Sequence, residues 1–369
     1  MHRLAALGEG PLETREVHVE GGSVRAMIDL RSDTATRPSA GMRRAMAEAA
    51  VGDEQKREDP TVNELQARAA QLLGQEEAIF LPTATMANQI ALKLLSRPGD
   101  VLIAEEHAHV VIYEYGGAAA HAGLMTLAVP GDRGRLTPGQ VQRAAEPSTK
   151  VADQRAAVLA LEDTHNSAGG RVWPLDELEV VVSAARDLGL GVHLDGARLL
   201  NAAVALGVEP GAIAARFDTV TLCLSKGLGC PLGALLAGSH ELMARAWREK
   251  HLFGGAMRQA GVVAAAGVYA LDHHVARLAD DHARARRLAE ALADARVPVE
   301  LEQVETNFVQ IDAALLGLDR ADALARLSEA GVGLSSTIHP TVMRAVTHLD
   351  VTDDDIARAG ELIPEALLS

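Results

Sequence analysis

The sequence predicts an α/β protein: a large domain built on a mostly parallel, helix-covered sheet, and a small α+β domain at the C-terminal end. Short apolar runs rich in β-branched residues alternate with longer amphipathic runs along most of the chain. Such alternation is typical of parallel strands linked by helices. Polar side chains follow several of the apolar runs, where sheets of this kind bind their ligands. After about residue 293 the pattern changes, which indicates a separate small domain.

The predicted strands of the large domain span residues 78–81, 101–104, 157–161, 191–194, 219–224 and 233–237. Apolar spacing predicts helices over 85–95 and 175–188 and one long helical stretch over 259–292. In the small domain we expect a strand over 307–311 and helices over 322–330 and 353–367. The large domain is therefore assigned to residues 27–292 and the small domain to 293–369. Residues 1–26 are weakly patterned and are predicted to be an N-terminal extension, with Met27 as an alternative start.

Composition limits the classes of function. The chain has 369 residues and a formal net charge of −15, which argues against nucleic acid or an anionic membrane surface as a partner. Its two cysteines, Cys223 and Cys230, are too few for a disulfide framework and are expected to be reduced thiols in a cytoplasmic protein. No apolar run has transmembrane length, and the N-terminus lacks the apolar stretch of a signal peptide.

Lys226 has the most unusual setting of the five lysines. An apolar, β-branched run leads into Ser225 and Lys226, and glycines follow at once. A lysine at the mouth of a buried strand is unfavourable unless its amine has a use. An amine in such a place can lose its proton and form a Schiff base with a carbonyl. Lys226 is therefore the first candidate catalytic residue.

Asp195 ends another predicted strand, and Arg198 follows three residues later. One interpretation is an internal ion pair between Asp195 and Arg198. The other is a cofactor site, because pyridoxal phosphate requires a lysine on its aldehyde carbon and a carboxylate on its ring nitrogen. The separation of Lys226 and Asp195 fits one strand–helix–strand excursion to a nearby strand. Together the two residues predict that a pyridoxal ring is held between strand ends.

Two further segments could contact such a cofactor. Residues 81–88 run from a strand into a helix, so the amides near Ala84 and Thr85 could bind its phosphate, although Thr85 could simply cap the helix. His109 follows the strand over 101–104 and could stack on a flat ring, act as a base or be structural. His107 is its competitor.

Arg344 in the small domain has the geometry to bind an amino-acid carboxylate, or it lies unused on the surface. The glycine-rich run that ends at Arg258 is either functional or a turn that opens a helix. The histidines are scattered without the ligand spacing of a metal site, so no metal is expected.

Taken together, seven segments resemble the low-specificity L-threonine aldolases, which are fold-type I pyridoxal-phosphate enzymes related to the beta-eliminating lyases. The resemblance covers residues 27–369 and keeps the order of the motifs, which makes the set specific. The segments are residues 28–34 (IDLRSDT), 58–63 (EDPTVN), 164–166 (THN), 194–198 (LDGAR), 223–229 (CLSKGLG), 257–259 (MRQ) and 347–350 (THLD).

The resemblance implies a role for each candidate. Lys226 would carry the Schiff base, Asp195 would hold the pyridine nitrogen, and His109 would stack on the ring and act on the substrate hydroxyl. It further implies that Thr85 and the neighbouring backbone bind phosphate, that Ser32, Arg198 and Arg344 bind the substrate carboxylate, and that Arg258 reaches the phosphate of a neighbouring subunit. Family members are homotetramers built from dimers, so a homo-oligomer with shared sites is expected.

The chain departs from the family pattern at three places. Ala84 stands where glycine is usual, residues 55–57 replace a common Tyr-Gly pair, and Asp163 replaces an asparagine before the Thr-His-Asn motif. The implied reaction is cleavage of threonine or allo-threonine to glycine and acetaldehyde. The alternatives are another pyridoxal-phosphate lyase, such as one that catalyses β-elimination, and a catalytically silent protein that binds the cofactor.

Overall fold

A computed structural model of the chain describes residues 27–146 and 155–369. The predicted N-terminal extension, residues 1–26, lies outside the described residues. The strands are β1 (Ile28–Asp29), β2 (Glu77–Leu81), β3 (Val101–Glu105), β4 (Met125–Val129), β5 (Ala156–Glu162), β6 (Gly191–Asp195), β7 (Thr219–Cys223), β8 (Ala234–Gly238), β9 (Phe308–Asp312), β10 (Val332–Gly333), β11 (Ser335–Ser336) and β12 (Val342–Val346).

The helices follow the predicted alternation with the strands. They are α1 (Ala40–Ala47), α2 (Pro60–Leu73), α3 (Ala84–Leu94), α4 (His109–Ile112), α5 (Gly117–Ala122), α6 (Pro138–Ala145), α7 (Leu175–Asp187), α8 (Leu199–Leu206), α9 (Pro210–Ala214), α10 (His240–Leu252), α11 (Gly261–His273), α12 (Leu278–Asp294), α13 (Arg320–Glu329) and α14 (Asp353–Leu368). None of these helices is long and apolar enough to cross a membrane.

The central sheet has seven strands in the order β2-β8-β7-β6-β5-β3-β4. All neighbouring strands are parallel except at β8, which runs antiparallel to both β7 and β2. Strands β3, β6 and β7 are buried along almost their whole length, which explains their continuous apolar runs. The α/β fold class with a largely parallel sheet is therefore confirmed.

Two elements differ from the prediction. The prediction of one long helical stretch over 259–292 was wrong, because the chain turns at residues 274–277 and so forms two helices, α11 and α12. At that turn the His274 ring is 2.7 Å from the backbone oxygen of Leu228. Strand β4 was not predicted, since most of its side chains are exposed at the edge of the sheet and give no buried apolar signal.

A second apolar core lies outside the large sheet. It forms where α12, α13 and α14 cover the small antiparallel sheet β11-β12-β9, and it includes Ile28 and Leu30 from the start of the described chain. Strand β1 pairs in parallel with β10, so the segment after it is tied to the C-terminal part of the chain. A small C-terminal domain is thus present, while the boundary between residues 292 and 293 stays a prediction.

Candidate active site

The carboxyl ends of three neighbouring strands place the central residues of the site. Glu162 ends β5, Asp195 ends β6, and Lys226 follows the end of β7. Asp195 pairs with Glu162 on one side and with Thr221 on the other in the sheet register. We expected Lys226 and Asp195 to follow nearby strands, and the two strands, β6 and β7, are adjacent in the sheet.

Asp195 is buried and remains surrounded by donors. Its two carboxylate oxygens accept from Asn88 Nδ2 at 2.7 Å and from the Ala197 amide at 3.1 Å. Burial alone would raise the pKa of this carboxyl, but the charges of His109 and Lys226 outweigh it and hold the pKa below its ordinary value. Asp195 is therefore kept ionised, as a partner for a protonated ring nitrogen must be.

The His109 ring lies beside Asp195. Its Nδ1 is 2.9 Å from Glu114 Oε1 and 3.9 Å from Asp195 Oδ2. Burial opposes a charged imidazole, but the Glu114 hydrogen bond and the negative charges of Asp195 and Glu162 outweigh burial and raise the pKa of His109. A carboxylate on Nδ1 fixes the proton there and leaves Nε2 as the ring atom that can exchange a proton.

Asn88 links these groups, although the sequence did not predict it as a site residue. Its Nδ2 donates to both Glu114 and Asp195, and its Oδ1 is 3.1 Å from His193 Nε2. It lies one helical turn after Ala84 on α3, on a face of the helix that is buried. That spacing was the only available signal, because nothing in the sequence shows that α3 faces the end of β6.

The amino end of α3 contains the predicted phosphate contacts. The helix begins at Ala84, with Thr85 as its second residue. The suggestion that Thr85 caps the helix was wrong, because Thr83 is the N-cap and its hydroxyl accepts from the Met86 amide at 3.1 Å. The amides of Ala84 and Thr85 have no intrahelical acceptors, as at every helix start, so they remain available to an anion.

Arg198 pairs with a residue near the N-terminal end of the described chain, Asp33. Its Nε and Nη2 donate to the two oxygens of Asp33, both at 2.7 Å, and both side chains are buried. The interpretation of Asp195 and Arg198 as an internal ion pair was therefore wrong. Although burial opposes ionisation of Asp33, Arg198 and the charges of Lys226 and Arg344 lower the pKa of Asp33 to about 2.

Asn166 links the two predicted carboxylate-binding arginines. Its Oδ1 accepts from Arg198 Nη1 at 3.3 Å and from Arg344 Nη1 at 2.9 Å. Both guanidinium groups also lie over the ring of Phe308, at 4.9 and 5.3 Å from its centroid. The structure thus brings together arginines that are far apart in sequence, through a residue of the Thr-His-Asn motif.

Arg344 differs from Arg198 in having no ion pair within the part of the chain that the structure describes. Its Nε donates to Ser335 at 3.1 Å, and its Nη2 makes no hydrogen bond there. Burial and the nearby charge of Arg198 lower the pKa of Arg344, with only a partial offset from Asp33. A half-buried cation without its own counter-ion is suited to an anionic ligand.

Ser32 lies next to Asp33 at the edge of this cluster. Its hydroxyl accepts from the amide and the hydroxyl of Thr34, at 3.2 and 2.9 Å, and so begins a short 3₁₀ turn. Thr36, just after that turn, donates its hydroxyl to the backbone oxygen of Lys226 at 2.8 Å. The turn therefore fixes the segment of Ser32 and Asp33 against the segment of Lys226.

Glu162 positions both halves of the site. One oxygen accepts from the His109 amide at 2.7 Å, and the other accepts from the Asn166 amide at 2.9 Å. His107, the competitor of His109, instead lies near Glu105 and stacks edge-on against His339, 5.7 Å away between ring centres. Its placement favours His109 as the residue near Asp195.

Arg258 is the one predicted site residue that the structure does not bring to the others. It is exposed and lies 3.2 Å from Asp53 Oδ2. Its backbone oxygen accepts from the Glu54 amide at 3.0 Å. The buried Lys250 ammonium donates to Glu54 and to the backbone oxygen of Phe80, so the Arg258 loop is anchored to the end of β2. A role for Arg258 in a neighbouring subunit stays a prediction.

Two departures from the family pattern have a physical explanation. Asp163 is fully buried, and burial raises its pKa well above the ordinary value, which favours the neutral carboxyl, a group similar in shape to the usual asparagine amide. Arg57, in the segment that replaces the Tyr-Gly pair, has a φ of 59°, a left-handed conformation that favours glycine. Its guanidinium covers the Trp247 ring at 4.8 Å and lies 3.6 Å from Glu77.

The residues that the sequence did not reveal are mostly partners of those that it did. Asp33, Asn88 and Glu114 each hold a predicted residue in place. Glu162 and Asn166, which the sequence placed at a strand end near the other site residues but gave no role, do the same. Asp33 and Asn166 lie inside motifs that carried the family resemblance, and this was a usable signal. Glu114 had none, since its carboxylate is recognisable only from its distance to His109. A cation could also be held by His109, Glu114 and Asp195, so the expected absence of a metal stays a prediction.

The fold and site define a class of protein. An α/β sheet with a lysine and an ionised carboxylate on adjacent strand ends, and a helix start nearby for a phosphate, fits an enzyme that uses a Schiff-base lysine and a flat, phosphorylated cofactor. The family model for the beta-eliminating lyases matches residues 29–314. The low-specificity L-threonine aldolase of Escherichia coli K12 is 42% identical over 346 residues, which cover 90% of this chain and 97% of that protein.

A plant relative and a solved structure agree. A probable low-specificity L-threonine aldolase of Arabidopsis thaliana is 39% identical and covers 77% of this chain and 81% of its own length. The threonine aldolase structure from Leishmania major superposes with a TM-score of 0.79 over 92% of this chain and 99% of that chain, at 18% identity, and it supports the fold alone. The chain belongs to the low-specificity L-threonine aldolase family.

Proposed function

We propose that this protein is a pyridoxal-phosphate-dependent aldolase that cleaves threonine and allo-threonine to glycine and acetaldehyde. The observation that carries the proposal is the arrangement of Lys226 and ionised Asp195 on adjacent strand ends, beside two arginines, one buried and one half-buried, that share Asn166. One pair accounts for the cofactor, and the other accounts for an amino-acid carboxylate. Curated relatives with high identity bear the name of this activity.

The residues present fit pyridoxal phosphate. Lys226 would hold it covalently, and Asp195 would hold its ring nitrogen. The start of α3, at Ala84 and Thr85, would bind its phosphate, and His109 would cover its ring. When bound, the cofactor supplies an aldehyde for the substrate amine and a ring that accepts electrons as the Cα–Cβ bond breaks. Asp195 would favour protonation of the ring nitrogen, because its own low pKa keeps its carboxylate negatively charged.

Substrate orientation falls to the arginine cluster. Arg344 offers Nη2, and Asp33 together with Asn166 holds Arg198 rigidly beside it. A charge-assisted contact between Nη2 and the substrate carboxylate would limit the rotation about Cα, so that the bond to the β-carbon can be aligned for cleavage. Ser32 lies within the same segment as Asp33 and is proposed to add a hydrogen bond to that carboxylate.

His109 is proposed to take the proton of the substrate β-hydroxyl through Nε2. As that proton leaves, the oxygen becomes the aldehyde carbonyl and the Cα–Cβ bond breaks; glycine forms when Cα receives a proton. Glu114 and Asp195 hold the other ring proton on Nδ1, so that Nε2 faces away from the carboxylates. A base must be unprotonated. Because the pKa of His109 is raised, a higher pH is needed to populate its unprotonated form.

Three finer features are part of the proposal. We infer a cytoplasmic homo-oligomer, at least a dimer and by family resemblance a tetramer, in which Arg258 reaches the phosphate site of a neighbouring subunit. Arg258 is exposed and its only ion-pair partner among the described residues is Asp53, which leaves it able to make that contact. We also propose the division into domains over residues 27–292 and 293–369.

Product analysis tests the reaction. Purified protein with pyridoxal phosphate is given threonine, allo-threonine and phenylserine in turn. Aldehyde and glycine in equal amounts are the expected products, whereas ammonia and a keto acid would establish the rival β-elimination chemistry. A silent cofactor-binding protein would give neither set of products, and Lys226→Ala is expected to abolish both turnover and covalent attachment of the cofactor.

A further inference from the structure

A cavity of about 320 Å³ lies on the molecule away from the candidate active site. It opens between the carboxyl ends of α3 and α5 and one side of α10. Cationic groups dominate its lining, although the whole chain has a net charge of −15. The ionisable residues that line it are Lys93, Arg97, His121, Arg245, Arg248 and Glu249.

Part of this positive charge is already used. Lys93 Nζ lies 2.7 Å from Glu249, and Arg245 Nη2 donates to the backbone oxygen of Leu94 at 2.9 Å. The second contact is the ordinary use of a cation near a helix C-terminus, since the last carbonyls of a helix have no intrahelical donors. These two residues alone would not indicate a ligand.

The remaining cations have no such use. Within residues 27–146 and 155–369, the side chains of Arg97 and Arg248 make no hydrogen bond or ion pair, and both are exposed. The His121 ring stacks on Phe253, 4.7 Å between ring centres, which leaves its nitrogens available. Two unpaired guanidinium groups and an imidazole around one cavity offer several donors in forked geometry, which is suited to phosphate or carboxylate groups.

We propose that this cavity is a binding site for a small polyanion with phosphate or carboxylate groups. Arg97 and Arg248 would make the direct contacts, and Lys93 would join them when the anion competes with Glu249. The volume suits a compact ligand rather than a segment of another macromolecule. None of these residues belongs to the candidate active site, so this proposal holds or fails independently of the proposed reaction.

Calorimetric titration of the pyridoxal-phosphate-loaded protein with inorganic pyrophosphate tests the proposal. Prior loading keeps the probe out of the cofactor phosphate site. We expect one pyrophosphate per chain with a Kd below about 1 mM, and weaker binding as salt screens the charges. Arg97→Gln and Arg248→Gln are each expected to weaken binding on the order of tenfold. A parallel titration with citrate distinguishes a carboxylate ligand from a phosphate ligand.

Two variants sharpen the result. Arg43→Gln removes the same charge from an exposed arginine on α1 and should leave binding unchanged. Glu249→Gln removes the competitor for Lys93 and should tighten binding. The proposal is overturned if pyrophosphate and citrate both fail to bind, if Arg97→Gln and Arg248→Gln bind as the unaltered protein does, or if Arg43→Gln weakens binding as much as they do.

Discussion

The two halves of the candidate active site have opposite charge balance. In one half, the carboxylates of Asp195, Glu114 and Glu162 lie around His109, and the charge of Lys226 acts on Asp195. Around Asn166, the buried guanidinium group of Arg198 and the half-buried one of Arg344 lie together, and the carboxylate of Asp33 pairs only with Arg198. The first half therefore has more carboxylates than cations, and the second has more cations than carboxylates. A cofactor with a protonated ring nitrogen and a substrate with a carboxylate correct both imbalances.

The same contrast separates the two arginines. Burial opposes the charge on each, but the bidentate partner Asp33 raises the pKa of Arg198, whereas the pKa of Arg344 is lowered. Arg198 is thus a fixed part of the fold, and Arg344 is the arginine that still needs an anion. Sequence motifs gave the two residues the same role, and only their partners distinguish them.

Breaking the Arg198–Asp33 pair should have the largest effect. Arg198→Gln leaves Asp33 buried without its partner, so we expect a loss of about 3–5 kcal/mol in the free energy of unfolding at pH 7. Urea unfolding measures this loss, and the double variant Asp33→Asn/Arg198→Gln should recover part of it. An Arg198→Gln protein as stable as the unaltered one would show that the pair contributes nothing.

The pH dependence of that pair follows from the direction of the pKa shift of Asp33 on folding. The pKa of Asp33 is lowered from 3.8 to about 2 in the folded state, so its stabilisation is complete above pH 4 and disappears as pH falls through 2. The unfolding free energy of the Asp33→Asn variant should therefore fall less between pH 4 and pH 2 than that of the unaltered protein.

Arg344→Gln should affect substrate affinity instead. It removes one charge-assisted contact with the carboxylate, so we expect KM for threonine to rise roughly 30- to 100-fold. The unfolding free energy should change little, because Arg344 has no ion pair among the described residues. Steady-state kinetics measure the change, and a larger fall in kcat with constant KM would assign Arg344 to another step.

Glu114→Gln tests the other half of the site. It removes the hydrogen-bonded charge that raises the pKa of His109, so the acidic limb of the pH–rate profile should move to lower pH. We expect kcat at its optimum to fall about tenfold as the imidazole loses its orienting carboxylate. Glu177→Gln, at an exposed carboxylate, is the matched control. An unmoved acidic limb would rule out His109 as the titrating base.

Asp163→Asn should have the smallest effect. Because burial raises the folded-state pKa of Asp163, folding keeps a proton that the unfolded chain releases, and stability falls as pH rises above 3.8. The variant should therefore be more stable by roughly 1 kcal/mol at pH 8 and gain nothing at pH 3. Thermal unfolding at the two pH values measures this, and an equal gain at both would exclude titration as the cause.

The sequence predicted what strand ends and ordered motifs determine. Lys226 and Asp195 follow apolar runs, and parallel strands bring such positions to one edge of a sheet, so their meeting could be anticipated. The partner of Arg198 could not, because Asp33 is 165 residues away and reaches it only when β1 pairs with β10. The same holds for Glu114 and Asn88, whose carboxylate and amide matter through distances that no local pattern encodes. The alternative that Thr85 caps the helix was wrong because the helix already begins at Ala84, one residue before the start that its apolar spacing indicates.

Covalent labelling tests most directly the claim that Lys226 carries the cofactor. The protein loaded with pyridoxal phosphate is reduced with borohydride, digested and examined by mass spectrometry. We expect the pyridoxyl mass on the peptide that contains Lys226, and no label in the Lys226→Ala variant. Lys250 is the internal control, since it is buried but already engaged by Glu54 and Phe80. Label on Lys250 or any other lysine, with Lys226 unmodified, would contradict the central assignment.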